Sequence, residues 1–283
     1  MVGPVFEARP AAKVNLTLAV LGRRPDGYHE LRSVFLRVGL TDVLTVTPGS
    51  GDRDRLSLTG LPGAPSDGNL VLRALDAIRA QAGFDFPPLD VRLEKRIPVA
   101  AGLGGGSSDA AAALGLAQAA WGMALSPDEL LQVAAGLGSD VPFFTCDLAA
   151  ALIGGRGEIV QENPAPAENG VLLVTPPARL STAAVFARYD ELGGERGENR
   201  DSNQLWAAAA SLQPALADLR DSLERASDRP WLLSGSGPTL FALYPSVEDA
   251  ARSGRSVSEI IGPADVLIHA VDLVGPDPAW RHP

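Results

Sequence analysis

Apolar and polar positions along this chain keep switching between two periods. Leu89, Val91 and Leu93 alternate with Asp90, Arg92 and Glu94, the period of two that sets one face of a strand against a core. Further strands are predicted at Val14–Leu21, Leu31–Leu40, Val43–Thr47 and Leu56–Leu58. Val71, Leu75, Ile78 and Ala82 instead share one face of a helix that Asn69 caps and Gly83 ends. Ser126-Pro127-Asp128-Glu129 is a capping box with proline at the first helical position, opening a helix that closes at Gly138. The second half reads as a strand at Val171–Thr175, helices through about Val185–Tyr189 and Gln213–Arg225, then strands at Trp231–Leu233, Thr239–Tyr244 and Val266–Val274. A helix at about Val247–Ile261 between the last two completes a ferredoxin-like layout. Gln161–Gly170, with Glu162-Asn163-Pro164-Ala165-Pro166, reads as a linker. The mixture predicts an α+β protein of two domains, residues 1–160 and 161–283, with a disordered tail at Pro276–Pro283.

One junction departs from ordinary strand-to-helix chemistry. Ile97-Pro98-Val99-Ala100-Ala101-Gly102-Leu103-Gly104-Gly105-Gly106-Ser107-Ser108-Asp109 lies between the strand ending at Arg96 and an alanine-rich helix predicted over Ala110–Trp121, whose first amides Ser107 or Ser108 would cap. Four glycines let the backbone approach a large anion, while free amides and the positive end of the helix dipole face it. Each surplus glycine costs about 0.5–1 kcal/mol in chain entropy, so the cluster favours a polyphosphate cradle over a plain turn. No Gly-Lys-Ser/Thr follows, which excludes a Walker A loop, and the Rossmann context is missing too.

Composition narrows the setting. With 283 residues the chain can bury a sizeable core. Its single cysteine, Cys146, excludes an internal disulfide framework and a cysteine-based zinc site, which points to a reducing, cytoplasmic compartment. Met1–Pro10 lacks the apolar run of a signal peptide. Ala110–Leu125 is interrupted by Gln118 and falls short of the ~20 apolar residues of a membrane span, so no membrane partner is expected. A formal charge of −10 argues against nucleic acid as a partner and against an RNA-binding module. An anionic ligand must therefore meet local positive potential, for which Lys13, Arg23, Arg24, Lys95 and Arg96 are the candidates; Lys13 and Lys95 are the only lysines. Asp140, ahead of Val141-Pro142-Phe143-Phe144, projects from a rigid turn beside apolar bulk. Arg24-Pro25-Asp26-Gly27-Tyr28-His29 is a turn ending in an aromatic ring and an imidazole.

Taken together, Pro10-Ala11-Ala12-Lys13-Val14-Asn15-Leu16, Asp26-Gly27-Tyr28-His29, Gly102–Ser108, Asp140-Val141-Pro142-Phe143 and Leu233-Ser234-Gly235-Ser236-Gly237-Pro238-Thr239 resemble the GHMP kinase superfamily, and most closely its branch acting on a cytidine diphosphate acceptor in isoprenoid precursor synthesis. The match is dense to about Leu152 and thinner afterwards. It departs at Ala100-Ala101, where many relatives carry glycine, and the start is one alanine longer than the usual pattern. The resemblance implies an N-terminal ribosomal-protein-like α/β sandwich that binds ATP and carries catalysis, and a C-terminal ferredoxin-like domain that binds substrate. ATP with Mg2+ and a small-molecule cytidine diphosphate substrate are the implied ligands, the protein acting as a monomer or weak homodimer.

The resemblance also implies roles. Asp140 would accept the proton of the attacking hydroxyl beside Lys13, which also neutralises the moving phosphoryl group. Asn69, Lys95, Pro98, Gly102, Leu103, Gly104, Gly105, Gly106, Ser107 and Ser108 would bind the nucleotide, and Ser107 or Ser108 would offer a hydroxyl to magnesium, whose other ligands stay open. Asn15, Tyr28, His29, Thr182, Phe186, Gly235 and Gly237 would bind the acceptor. Tyr28 stacks on cytosine, and Phe186 is either the opposite face of that sandwich or a core residue. His269 and His282 carry no role, and Cys146 is expected in the core. A homoserine or mevalonate kinase has no use for Tyr28-His29. A silent nucleotide-binding regulator has no use for both Lys13 and Asp140.

Overall fold

The computed structural model describes residues 4–146, 148–194, 203–261 and 266–275. In chain order the elements begin with β1 (Phe6–Ala8), β2 (Ala11–Arg23), β3 (His29–Thr41), β4 (Val43–Pro48), β5 (Arg55–Gly60), α1 (Leu70–Ala82) and β6 (Leu89–Lys95). There follow α2 (Gly105–Trp121), α3 (Pro127–Leu137), α4 (Val141–Thr145), β7 (Ala150–Gly155) and β8 (Ile159–Glu162). The second half holds β9 (Gly170–Thr175), α5 (Thr182–Glu191), α6 (Trp206–Leu212), α7 (Ala215–Ser227), β10 (Leu232–Leu233), β11 (Leu240–Tyr244), α8 (Val247–Ile261) and β12 (Leu267–Asp272). The expected tail at Pro276–Pro283, with His282, lies outside the described residues.

Among the described residues three four-stranded sheets form, ordered β1-β4-β6-β5, β2-β3-β7-β8 and β10-β11-β9-β12. Of these described strands only β5 and β6 pair in parallel. The third sheet, read from its other edge as β12-β9-β11-β10, has the strand order of the ferredoxin-like fold that the pattern predicted, with α5 to α7 filling the first crossover. The first two sheets carry α1 to α4, giving the two-domain α+β fold. Leu89, Val91 and Leu93 turn inward from β6 as their alternation requires, and Lys95 falls on the same buried face.

α2 packs closely because Ala110, Ala111, Ala112 and Ala113 are fully buried and leave no bulk between helix backbone and neighbours. Asn69, Gly83 and the Ser126–Glu129 capping box sit where the sequence placed them. The start of α2 differs. It begins at Gly105, with Gly104 at the capping position, left-handed at φ 70° and without a side-chain hydrogen bond. Ser107 and Ser108 are therefore in the first turn, not caps, and no described side chain occupies its opening amides. β1, β7, β8 and α6 were not anticipated, nor was α4, where the sequence reading placed a rigid turn after Asp140, and β8 continues strand pairing to Glu162, past residue 160. Ala150-Ala151-Leu152-Ile153-Gly154-Gly155 of β7 hides its period because small residues occupy both faces.

Candidate active site

A cavity of about 870 Å3 opens where the sheets meet, and almost every residue singled out from the sequence lines it. β2 delivers Lys13 and Asn15, the glycine loop and α2 deliver Pro98 and Gly102 to Ser107, the start of α4 delivers Asp140, and α5 delivers Thr182 and Phe186. Asn69, Lys95, Tyr28, His29 and Gly235 complete the wall. Of the cationic candidates, Arg24, paired with Asp26 and Glu30, and Arg96, paired with Glu94, lie outside it. Two of the expected ligand-binding residues do not line it either. Ser108 is fully buried, its Oγ without a partner among the described residues, and Gly237 is buried against Leu233 below the surface.

At the centre, the Lys13 backbone N–H donates to the Leu103 carbonyl at 2.9 Å, stitching β2 to the glycine loop. The Lys13 Nζ donates to Asn15 Oδ1 at 2.7 Å, lies 4.6 Å above the centre of the Phe35 ring and sits 3.4 Å from Asp140 Oδ2. The lysine side chain is 4% exposed and that of Asp140 29%, so the carboxylate opens to the cavity while the cation backs it from beneath. Asn15 is held in turn by its Nδ2, which donates to Ser33 Oγ at 2.9 Å.

The glycine loop is shaped by what a side chain would strike. At Gly102 (φ 80°) a Cβ would lie 2.2 Å from the Ser234 carbonyl oxygen, and at Gly104 (φ 70°) it would press on Lys13 and Phe144. The Ser234 Oγ donates to the Gly102 carbonyl at 2.9 Å. The loop is thus interlocked with the Ser234–Gly237 turn above and the lysine below, and its helical amides face the cavity, an arrangement suited to phosphate.

Three of the lining residues also hold partners within the protein. Lys95 lines the cavity, but its ammonium is held between Asp42 and, at 2.7 Å, Asp109. Burial opposes its charge, yet Asp109 and Asp42 outweigh that and raise its pKa, while burial pushes the Asp109 carboxyl up to about 7. Lys95 is a buried strut under the cradle, not a free cation. Asn69 uses its side chain as a cap, accepting from the Val71 N–H and donating to the Pro65 carbonyl. Phe186 is half-buried, and its ring is stacked on His29 at 4.8 Å, so an imidazole covers one of its two faces. That imidazole is tethered by an Nε2 contact of 2.9 Å with Asp190 Oδ1. Tyr28 is half-exposed, its ring 5.1 Å from the Arg156 guanidinium.

Sequence reasoning missed Arg156, Asp190, Ser33, Asp42 and Asp109. A glycine on each side of Arg156 marked a turn that could present it. Asp190 carries no such signal.

Residues 69–155 match the family "GHMP kinases N terminal domain" and residues 185–260 match "GHMP kinases C terminal". The 4-diphosphocytidyl-2-C-methyl-D-erythritol kinase of Pelotomaculum thermopropionicum is 38% identical over 280 residues, 91% of this chain and 96% of that protein. The chain belongs to the GHMP kinases, in the branch of the 4-diphosphocytidyl-2-C-methyl-D-erythritol kinases. The Streptomyces coelicolor kinase of the same name is 39% identical, with 90% of each chain covered. A crystal structure of 4-(cytidine 5'-diphospho)-2C-methyl-D-erythritol kinase superposes with a TM-score of 0.74 at 31% identity, covering 94% of this chain and 99% of that one. A homoserine kinase from Cytophaga hutchinsonii shares the fold at a TM-score of 0.68 and 16% identity, over 96% and 95% of the two chains.

Proposed function

We propose that this GHMP kinase transfers the terminal phosphoryl group of ATP to the 2-hydroxyl of 4-diphosphocytidyl-2-C-methyl-D-erythritol, in isoprenoid precursor biosynthesis. The observation that carries the reading is the Lys13–Asp140 pair, 3.4 Å apart at the foot of the α2 amino terminus. Phosphoryl transfer proceeds through a loose transition state, so alignment and charge compensation do most of the work. The open amides of α2 hold the nucleotide's phosphates, Asp140 accepts the hydroxyl proton, and Lys13 offsets charge on the moving oxygens. Residues 1–160 then carry nucleotide and catalysis, and 161–283 close the acceptor side. Among the described residues no helix is long and apolar enough to cross a membrane.

Magnesium fits as an ion brought by the nucleotide. Among the described residues no group of three or more histidine, cysteine or acidic side chains could hold a metal alone. Ser107 lines the cavity at the helix terminus, an oxygen donor of the kind magnesium takes alongside phosphates. Held by the Ser107 hydroxyl, such an ion would supply positive charge to offset the negative charge of the nucleotide's phosphates.

For the acceptor, Tyr28 offers an accessible ring for the cytosine, with the His29–Phe186 stack as the opposite wall. A coupled assay for ADP formation, with the cytidine diphosphate acceptor beside homoserine and mevalonate, tests the substrate. Turnover on the cytidine acceptor alone is expected, and turnover only on another acceptor would displace the reading. Single-turnover kinetics of Asp140→Asn test the base: general-base help is worth about 10²–10⁴-fold, and a loss of that order with ATP binding intact is expected.

A further inference from the structure

Arg37 stands on β3 directly across from Lys13 on β2, so the two side chains leave the sheet on the same face. Lys13 reaches Asp140, the residue at the amino end of α4. Arg37 reaches the other end of the same helix. Its Nη2 donates to the carbonyls of Cys146 at 3.1 Å and Phe143 at 3.4 Å, and its Nε donates to the Leu148 carbonyl at 3.2 Å. The guanidinium also lies over the rings of Phe143, at 5.1 Å, and Phe144, at 5.4 Å. Phe35, two residues earlier on β3, meets Phe143 edge-on at 5.4 Å and runs beneath the Lys13 ammonium. Arg37 is 2% exposed, and its own N–H donates to the Ala149 carbonyl at 2.8 Å.

α4 has five residues, and Asp140, at the capping position before Val141, makes no side-chain cap. A helix of that length has no stability of its own, and its carboxyl end presents carbonyls that need donors. Its place in the site is therefore set by what grips it. A planar guanidinium fork satisfies several carbonyls at once, and a cation suits the negative end of a helix. We propose that Arg37 is a positioning residue, clamping the carboxyl end of α4 so that Asp140, at its amino end, stays against Lys13. The pair across β2 and β3 thus holds both ends of one short helix. This inference rests on Asp140 being the general base.

The test is a double-mutant cycle on turnover. Arg37→Met keeps apolar bulk over Phe143 but loses the donors. Misplacement of a catalytic group by about 1 Å can cost 10²-fold, so kcat should fall by about that factor while the KM values for ATP and acceptor stay unchanged. Arg37→Lys, which keeps the charge and donors to some carbonyls, should recover part of the loss, and it carries the test if Arg37→Met does not fold. In the Asp140→Asn background the Arg37 substitution should cost little more, because its effect runs through the side chain already disabled. An undiminished kcat loss in that background, or a rise in both KM values with kcat intact, overturns the proposal while leaving Asp140 as the base. A near-normal chemical step in Asp140→Asn alone removes the base reading and the proposal with it.

Discussion

Ala100 holds a φ of 56° at the exposed entry to the glycine loop, a left-handed conformation that costs an L-residue roughly 1–2 kcal/mol. Ala100→Gly removes that strain but gives back about 0.4–1 kcal/mol through the greater freedom of glycine in the unfolded chain. The expected balance is a small gain, a rise in melting temperature of about 2 °C for a chain of this size. Calorimetry decides: a lower melting temperature would mean that the Ala100 methyl makes contacts worth more than the strain. At this scale the sequence was most legible where a residue's chemistry is local. Lys13 and the glycines stand in short runs whose composition already suggests anion handling, whereas the proton-accepting role of Asp140 was implied by the family resemblance alone. Arg37, Asp190 and Asp42 were not legible, because their partners lie on other elements, as Asp190 does across 161 positions from His29. The His29–Phe186 stack was missed for the same reason.

Between elements, the buried cluster of Asp42, Lys95 and Asp109 joins the β3–β4 corner, the end of β6 and α2 just past its first turn. Asp42 also accepts from the backbone N–H groups of Arg96 and Ile97, so it fixes the chain as it leaves β6 for the glycine loop. The cluster carries a pH signature. Asp109 has an ordinary pKa of 3.8, and burial pushes it to about 7 in the folded chain. Between those values the folded protein keeps a proton that the unfolded chain has released. The contribution of Asp109 to stability is therefore complete below the lower value, falls as pH rises through the window, and levels off above about 7. Asp109→Asn is neutral throughout, so its melting temperature relative to the parent protein should climb with pH across that window. A constant offset between the two proteins would show that Asp109 is ionised from the start. Helices with caps and strands with strict alternation were readable as elements. β7 was not, since alanine and glycine on both faces erase its period, nor was β8, whose four residues Ile159–Glu162 are too few to show one, and the α2 start was displaced because a left-handed glycine replaces a serine cap.

For the whole molecule, the two halves share a core as well as a cavity. Ala12, Val14, Leu36 and Val38 from β2 and β3 pack with Val171, Leu173 and Phe241 from β9 and β11 in one buried cluster, and the main cluster of the second half takes in Leu18 and Val20 from β2, while the first half also has a cluster of its own. The Ser234–Gly237 turn locks onto Gly102, and the Gln204 N–H donates to the Leu18 carbonyl of β2 at 2.9 Å. Opening one half therefore exposes apolar surface and unpairs backbone groups in the other. The expected result is a single cooperative unfolding transition. Phe241 is the sharpest probe, fully buried and paired in register with Leu173. Phe241→Ala leaves a cavity costing about 3–5 kcal/mol, and because the cavity lies in the shared cluster, the whole transition should move down without splitting. Calorimetry and urea titration, read by far-UV dichroism and by tryptophan fluorescence, should give coincident curves for the parent protein and the variant. Two resolved transitions in the parent protein, or a variant in which one falls while the other holds its place, would show that the halves melt independently and that the active site joins two separately stable bodies.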